Sequence, residues 1–133
     1  MTTDEPPENA ATTSPALSKR GARRVIQRAF VLVGRERTIR QQIREVELNT
    51  YWAIEEWGLE WTIVFDHGRL DFHRGRVGKP LVNFHWETGE EFLGQVESGA
   101  STRDGLQFVG DATWRRVVDP VFKSFLTTLR AVL

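Results

Sequence analysis

Leu59, Trp61, Ile63 and Phe65 alternate along the chain with Glu60, Thr62 and Val64, a period of two that places four large apolar side chains on one face of a β-strand. Asp66-His67-Gly68 then supplies a turn, and Leu70 and Phe72 resume the alternation, so the stretch predicts an antiparallel meander. Gly75 to Pro80 predicts a further turn, after which Val82, Phe84 and Trp86 point one way and Asn83 and His85 the other. Upstream the signal is mixed: Ile39, Ile43 and Val46 suit a helix, while Val46, Leu48, Thr50, Trp52 and Ile54 suit a strand. The switch between the two is placed near Glu45.

Helical periods flank the strands. Ala22, Val25, Ile26, Ala29, Phe30 and Val33 fall at i, i+3, i+4, i+7, i+8 and i+11, one face of a helix that Gly34 is expected to end as a left-handed cap. Arg20, Arg24 and Arg28 share another face of it. Thr88 and Glu91 form a capping-box pair at the start of a helix carrying Phe92, Leu93 and Val96, which Gly99 ends. A fifth strand closes at Gly110-Asp111. From an Asp111 cap, Trp114, Val117, Val118, Val121, Phe122, Phe125, Leu126 and Leu129 then form one long apolar stripe in which Pro120 predicts a kink. Burying eight such side chains contributes about 12 to 24 kcal/mol gross, an upper bound because unfolded chains are partly compact. A helix with that stripe must be docked on something.

Length bounds the organisation. At 133 residues the chain is one domain. Residues 1–15 carry Thr, Pro, Glu, Asn and Ala with almost nothing to bury and are expected to form a disordered tail, leaving residues 16–133 as the folded unit. Eighteen basic and eighteen acidic side chains cancel, which argues against a global field for nucleic acid or membranes. The absence of cysteine excludes disulfides and thiolate metal sites and fits a reducing compartment. The N-terminus lacks a signal-peptide pattern and no apolar run approaches the roughly 18 residues of a membrane span, so a cytoplasmic location is expected.

Four weak motifs in order, an acidic-turn-glycine (Asp66-His67-Gly68), a strand ending in Gly75, an acidic-Phe helix start (Glu90-Glu91-Phe92) running to Gly99, and Gly105-Leu106-Gln107-Phe108-Val109-Gly110-Asp111, make the chain similar to the sterol carrier protein 2 (SCP2) domain family. The resemblance covers about Val46 to Leu129. It implies an α+β fold with a five-stranded, mainly antiparallel sheet, helices packed on one face, and an apolar tunnel closed by the C-terminal helix. That tunnel implies a binding or carrier module for a sterol, fatty acyl chain or similar lipid, without cofactor, metal or catalytic residues. The residues expected to line it are Phe84, Trp86, Phe92, Val96, Phe108, Trp114, Val118, Phe122, Phe125 and Leu126. Two features differ from the family: the segment Ala100 to Asp104 is short and polar, and Ala131-Val132-Leu133 lacks the basic centre of a peroxisomal tripeptide.

The alternative reading is a small biosynthetic enzyme that uses such a pocket to convert a polycyclic or polyketide-like substrate, with Asp66, Glu87 or His85 near the mouth. Other residues offer further chemistry. His73, His85 and Asp71 make a two-His-one-carboxylate set, but all three are expected to face outward, away from Phe72, Phe84 and Trp86. Among five tryptophans, Trp86 and Trp114 are the two expected to border a cavity, while Trp57 falls in a turn. Lys19 to Arg44 contains nine basic residues against Glu36, a net charge of 9 − 1 = +8. That segment suits a transient anionic membrane surface through Arg20, Arg24 and Arg28. It does not suit nucleic acid, because Phe30 is its only aromatic and belongs to the buried stripe.

Overall fold

The computed structural model describes residues 19–99 and 108–132. The expected disordered tail and the polar segment from Ala100 to Asp104 lie outside the described residues. Helix α1 spans Lys19–Arg35 and buries Ala22, Ile26, Ala29, Phe30 and Val33 of the stripe its spacing predicts, with Val25 partly buried against them. Gly34 does not end it. That glycine lies within the helix and the break falls at Glu36, whose extended backbone (φ −69°, ψ 127°) separates α1 from a short helix α2, Arg37–Gln42. The restart serves the core: a new helical turn places Ile39, and Ile43 just beyond it, among the buried residues.

Strand β1 begins at Glu47, two residues beyond the expected switch, and runs to Ile54. A turn containing Trp57 leads to β2 (Leu59–Asp66), and His67-Gly68 leads to β3 (Arg69–Arg74). His67 (φ 50°) and Gly68 (φ 98°) are both left-handed, as a two-residue hairpin turn of the right twist requires. Strand β4 (Val82–Trp86) then pairs in parallel with β1, in the register Trp52 opposite Phe84 and Ile54 opposite Trp86. Helix α3 (Gly89–Ser98), strand β5 (Phe108–Val109) and helix α4 (Ala112–Val132) complete the described elements. The sheet order is β3-β2-β1-β4-β5, with β1–β2, β2–β3 and β4–β5 antiparallel. The fold is therefore α+β, with a five-stranded mixed sheet and, among the described residues, four helices packed on it.

The two faces of the sheet differ. Leu48, Trp52, Ile54, Trp61, Ile63, Phe65, Val82, Phe84 and Trp86 form the inner face, each at most 3 % exposed. The outer face is partly covered by the β3–β4 connection, which folds back over it. The Thr62 hydroxyl donates to Gly75 O (2.7 Å) and accepts from Val77 N (3.0 Å), while Asn49 Nδ2 donates to Val77 O (2.9 Å). Thr62 is buried although it is polar and faces outward, because this loop satisfies its hydroxyl.

The helix termini follow their caps. Thr88 Oγ1 accepts from Glu91 N (3.0 Å), and Glu91 reaches back to the amide of Glu87 (3.1 Å), one residue before the cap rather than the cap itself. Gly99 ends α3 at φ 71°. Asp111 Oδ1 accepts from Thr113 N (2.9 Å) at the start of α4, and these Thr113 hydrogen bonds hold the Asp111 carboxyl below the usual carboxylate range. Helix α4 continues through Pro120.

Candidate functional site

The residues expected to line a tunnel lie together in one aromatic layer between the sheet and α4. Phe84, Trp86, Phe92, Val96, Phe108, Val118, Phe122, Phe125 and Leu126 are all at most 4 % exposed, and Trp114 is half-buried against the same cluster. In this conformation they pack on one another. Trp52 stands at the centre, stacked on Phe84 at 4.0 Å between centroids and meeting Phe30 edge-on at 5.1 Å. Phe122 from α4 stacks on Phe84 (5.2 Å, 9°) and Trp86 (6.2 Å, 11°), and Phe125 stacks on Phe30 (4.2 Å, 13°). Phe92 of α3 meets Trp86 edge-on at 5.0 Å, and Phe108 meets Phe84 edge-on at 5.6 Å.

The period-two spacing of β1 and β4 creates this layer. Parallel pairing puts Trp52 beside Phe84 and Ile54 beside Trp86 on one face, and the i, i+3, i+4 stripe of α4 lays Phe122 and Phe125 over them. All six pairings among Trp52, Phe84, Trp86 and Phe122 lie within 28° of parallel. The sequence pattern misses the central position of Trp52, which is 0 % exposed.

Polar groups inside the layer are few. Trp86 Nε1 donates to Gln95 Oε1 (2.7 Å), and Trp52 Nε1 donates to Thr50 Oγ1 (2.8 Å), whose own hydroxyl donates to Ile63 O (2.8 Å). Trp61 Nε1 is buried with no hydrogen-bond partner among the described residues. The polar ties of α4 run sideways: Ser124 Oγ donates to the Glu36 carboxylate (2.9 Å), and Arg130 donates to Val96 O from Nε (3.2 Å) and Nη2 (3.1 Å).

The groups named for an enzymatic alternative are dispersed. His85 projects from the outer face, where Nε2 lies 3.1 Å from Glu55 Oε1. Asp66 sits at the β2–β3 turn, 3.1 Å from His67 Nδ1 and 3.6 Å from Arg69 Nη2. The amide of Glu87 is engaged at the start of α3. Nor does the two-His-one-carboxylate set assemble: His73 on β3 and His85 on β4 are separated by β2 and β1, so roughly 14 Å of sheet lies between them. No cluster of three His, Asp or Glu among the described residues is placed to hold a metal ion.

A polar group absent from the sequence reading occurs on the outer face. The Tyr51 hydroxyl donates to Glu60 Oε1, and Arg76 lies over the Tyr51 ring at 4.4 Å. Burial, the Glu60 hydrogen bond and the Glu60 charge push the phenol up to about 12, against a smaller opposing effect of Arg76. Tyr51 and Glu60, with Glu55 and His85, border a cleft of about 340 Å³.

Arg24 and Arg28 are exposed on α1, whereas the Arg20 side chain lies outside the described residues. No helix among the described residues is long and apolar enough to cross a membrane. No protein-family model, no curated protein and no solved structure matches this chain.

Proposed function

We propose that the protein binds a hydrophobic small molecule, a sterol, a fatty acyl chain or a similar lipid, between the inner face of its sheet and helix α4. The observation that carries this reading is the apolar seam itself: near-parallel rings of Trp52, Phe84 and Trp86 on the sheet face Phe122 on the helix. A ligand entering along that plane exchanges ring-on-ring contacts for ring-on-ligand contacts and requires little polar rearrangement. The rings fill the layer by packing on one another, so binding requires α4 to shift outward from the sheet.

The unpaired Trp61 donor supports a ligand with one oxygen. An N–H buried without an acceptor costs about 1 to 3 kcal/mol, and a ligand hydroxyl or carbonyl would relieve that cost. Trp61 is stacked beside Trp52 at 6.0 Å, at the edge of the same layer. The resemblance to sterol carrier domains points to the same ligand class and adds the role of carrier.

Native mass spectrometry of the freshly purified protein tests the reading. A retained mass of a few hundred daltons, released by organic solvent and identified as a lipid, supports a binding module. Protein that carries no such mass, and takes none up after incubation with sterol and fatty acid, refutes it.

A further inference from the structure

We propose that the cleft between α2 and the β2–β3 turn is a binding site for a phosphate-type anion, separate from the apolar layer. The cleft measures about 450 Å³, and Arg37, Arg40, Gln41, Arg44, His67 and Arg69 face it. Arg37, Arg40 and Arg44 recur at i, i+3 and i+7, a spacing that keeps them on one side of a helical turn while Ile39 and Ile43 are buried on the other.

The opposite wall is fixed to this one. His67 N donates to Val46 O (2.8 Å) and Gly68 N donates to Ile43 O (3.1 Å), so the hairpin turn is pinned to the segment that follows α2. His67 is the only non-glycine among the described residues with a positive φ, a conformation such residues adopt at a conformational cost. The turn thus holds an imidazole and the Arg69 guanidinium beside the arginines of α2.

Charge identifies the ligand class. None of the residues lining the cleft is acidic, and neither Arg37 nor Arg40 has a carboxylate partner among the described residues. Arg44 has only the distant Glu45 (3.9 Å), while Arg69 is shared with Asp71 (3.1 Å) and Asp66 (3.6 Å). Guanidinium forks converging on one hollow match the oxygens of phosphate better than any neutral ligand. The Asp66 hydrogen bond raises the His67 pKa, which favours the cationic ring. A free phosphorylated small molecule and a phosphomonoester lipid headgroup present the same chemistry to this cleft.

The test is calorimetric titration of the full chain with inorganic phosphate and pyrophosphate at constant ionic strength. Flotation with phosphatidylcholine vesicles, with and without phosphatidate, forms a parallel arm. The paired variant Arg40→Gln/Arg44→Gln is compared with the charge-matched Arg74→Gln/Arg116→Gln on β3 and α4, outside the cleft, all four side chains being exposed. Saturable binding that falls at least about tenfold in the first variant and holds in the second is expected, the loss that follows from removing a charge-assisted hydrogen bond. If only phosphatidate vesicles show that arginine dependence, the site stands and the headgroup is its ligand. Equal losses in both variants, or no binding of either probe, overturns the proposal.

Discussion

The indole of Trp57 lies directly against the backbone of Gly89, so close that a β-carbon on Gly89 would come within 2.1 Å of the ring. Glu56 reinforces the contact by accepting from Gly89 N at 2.7 Å, which joins the β1–β2 turn to the first turn of α3. Gly89→Ala is therefore expected to destabilise the fold by about 1 to 3 kcal/mol, the usual range for overpacking. Chemical denaturation measures it. In a Trp57→Leu background the same substitution should become nearly neutral, and an unchanged penalty there would place the strain elsewhere.

Gln95 is 7 % exposed and satisfies the Trp86 indole from α3. Gln95→Leu keeps the volume and removes the acceptor, leaving a buried N–H unpaired. A loss of about 1 to 3 kcal/mol is expected in urea unfolding, with Trp86→Phe in the same background recovering part of it.

Tyr51 is the single tyrosine of the chain, so its ionisation can be followed by absorbance. Its folded pKa is raised to about 12 from an ordinary value of 10.0. The associated stability is fully present below pH 10.0 and is lost as pH rises towards about 12, because the unfolded phenol ionises first. Glu60→Gln should bring the midpoint part-way back, since burial, the largest cause, remains. Arg76→Gln should move it the other way. A Tyr51 midpoint near 10 in the native protein would contradict the Tyr51–Glu60 pairing.

The period-two strands, the α4 stripe, the Thr88 and Asp111 caps and the Gly99 stop were legible because each depends on neighbours within a few residues. The break between α1 and α2 was not. Gly34 is a good local stop, yet the end of α1 is set by the burial of Ile39 and Ile43, a tertiary demand with no short-range mark. Parallel pairing of β1 with β4 was equally hidden, and with it the stacking of Trp52 on Phe84 across residues far apart in sequence. The ten candidate ligand residues could be found by face and period, whereas whether a layer is filled or hollow depends on side-chain volumes meeting across helices and sheet. The Tyr51–Glu60 pair sits diagonally across β1 and β2, since Tyr51 is opposite Thr62 and Glu60 is opposite Ala53, so it required the register.

Trp61 offers a finer probe of ligand polarity. Trp61→Phe removes the unpaired donor while keeping an aromatic plate in place. Affinity for a long-chain alcohol or sterol should fall by about two- to tenfold, the value of one neutral hydrogen bond, while affinity for the matching hydrocarbon stays nearly level. Equal losses for both ligands would show that only ring area matters at this position.

The seam between sheet and α4 is tested most directly by titrating fluorescent sterol and fatty-acid analogues against tryptophan emission. A ligand burying on the order of 400 Å² gains about 10 kcal/mol at ~25 cal/mol/Å², and association removes at least ~4, which leaves micromolar binding. Saturable quenching in that range, weakened in Phe122→Ala more than the loss of folded protein explains, is the predicted result. No saturable change with either class of analogue up to its solubility limit would contradict the account.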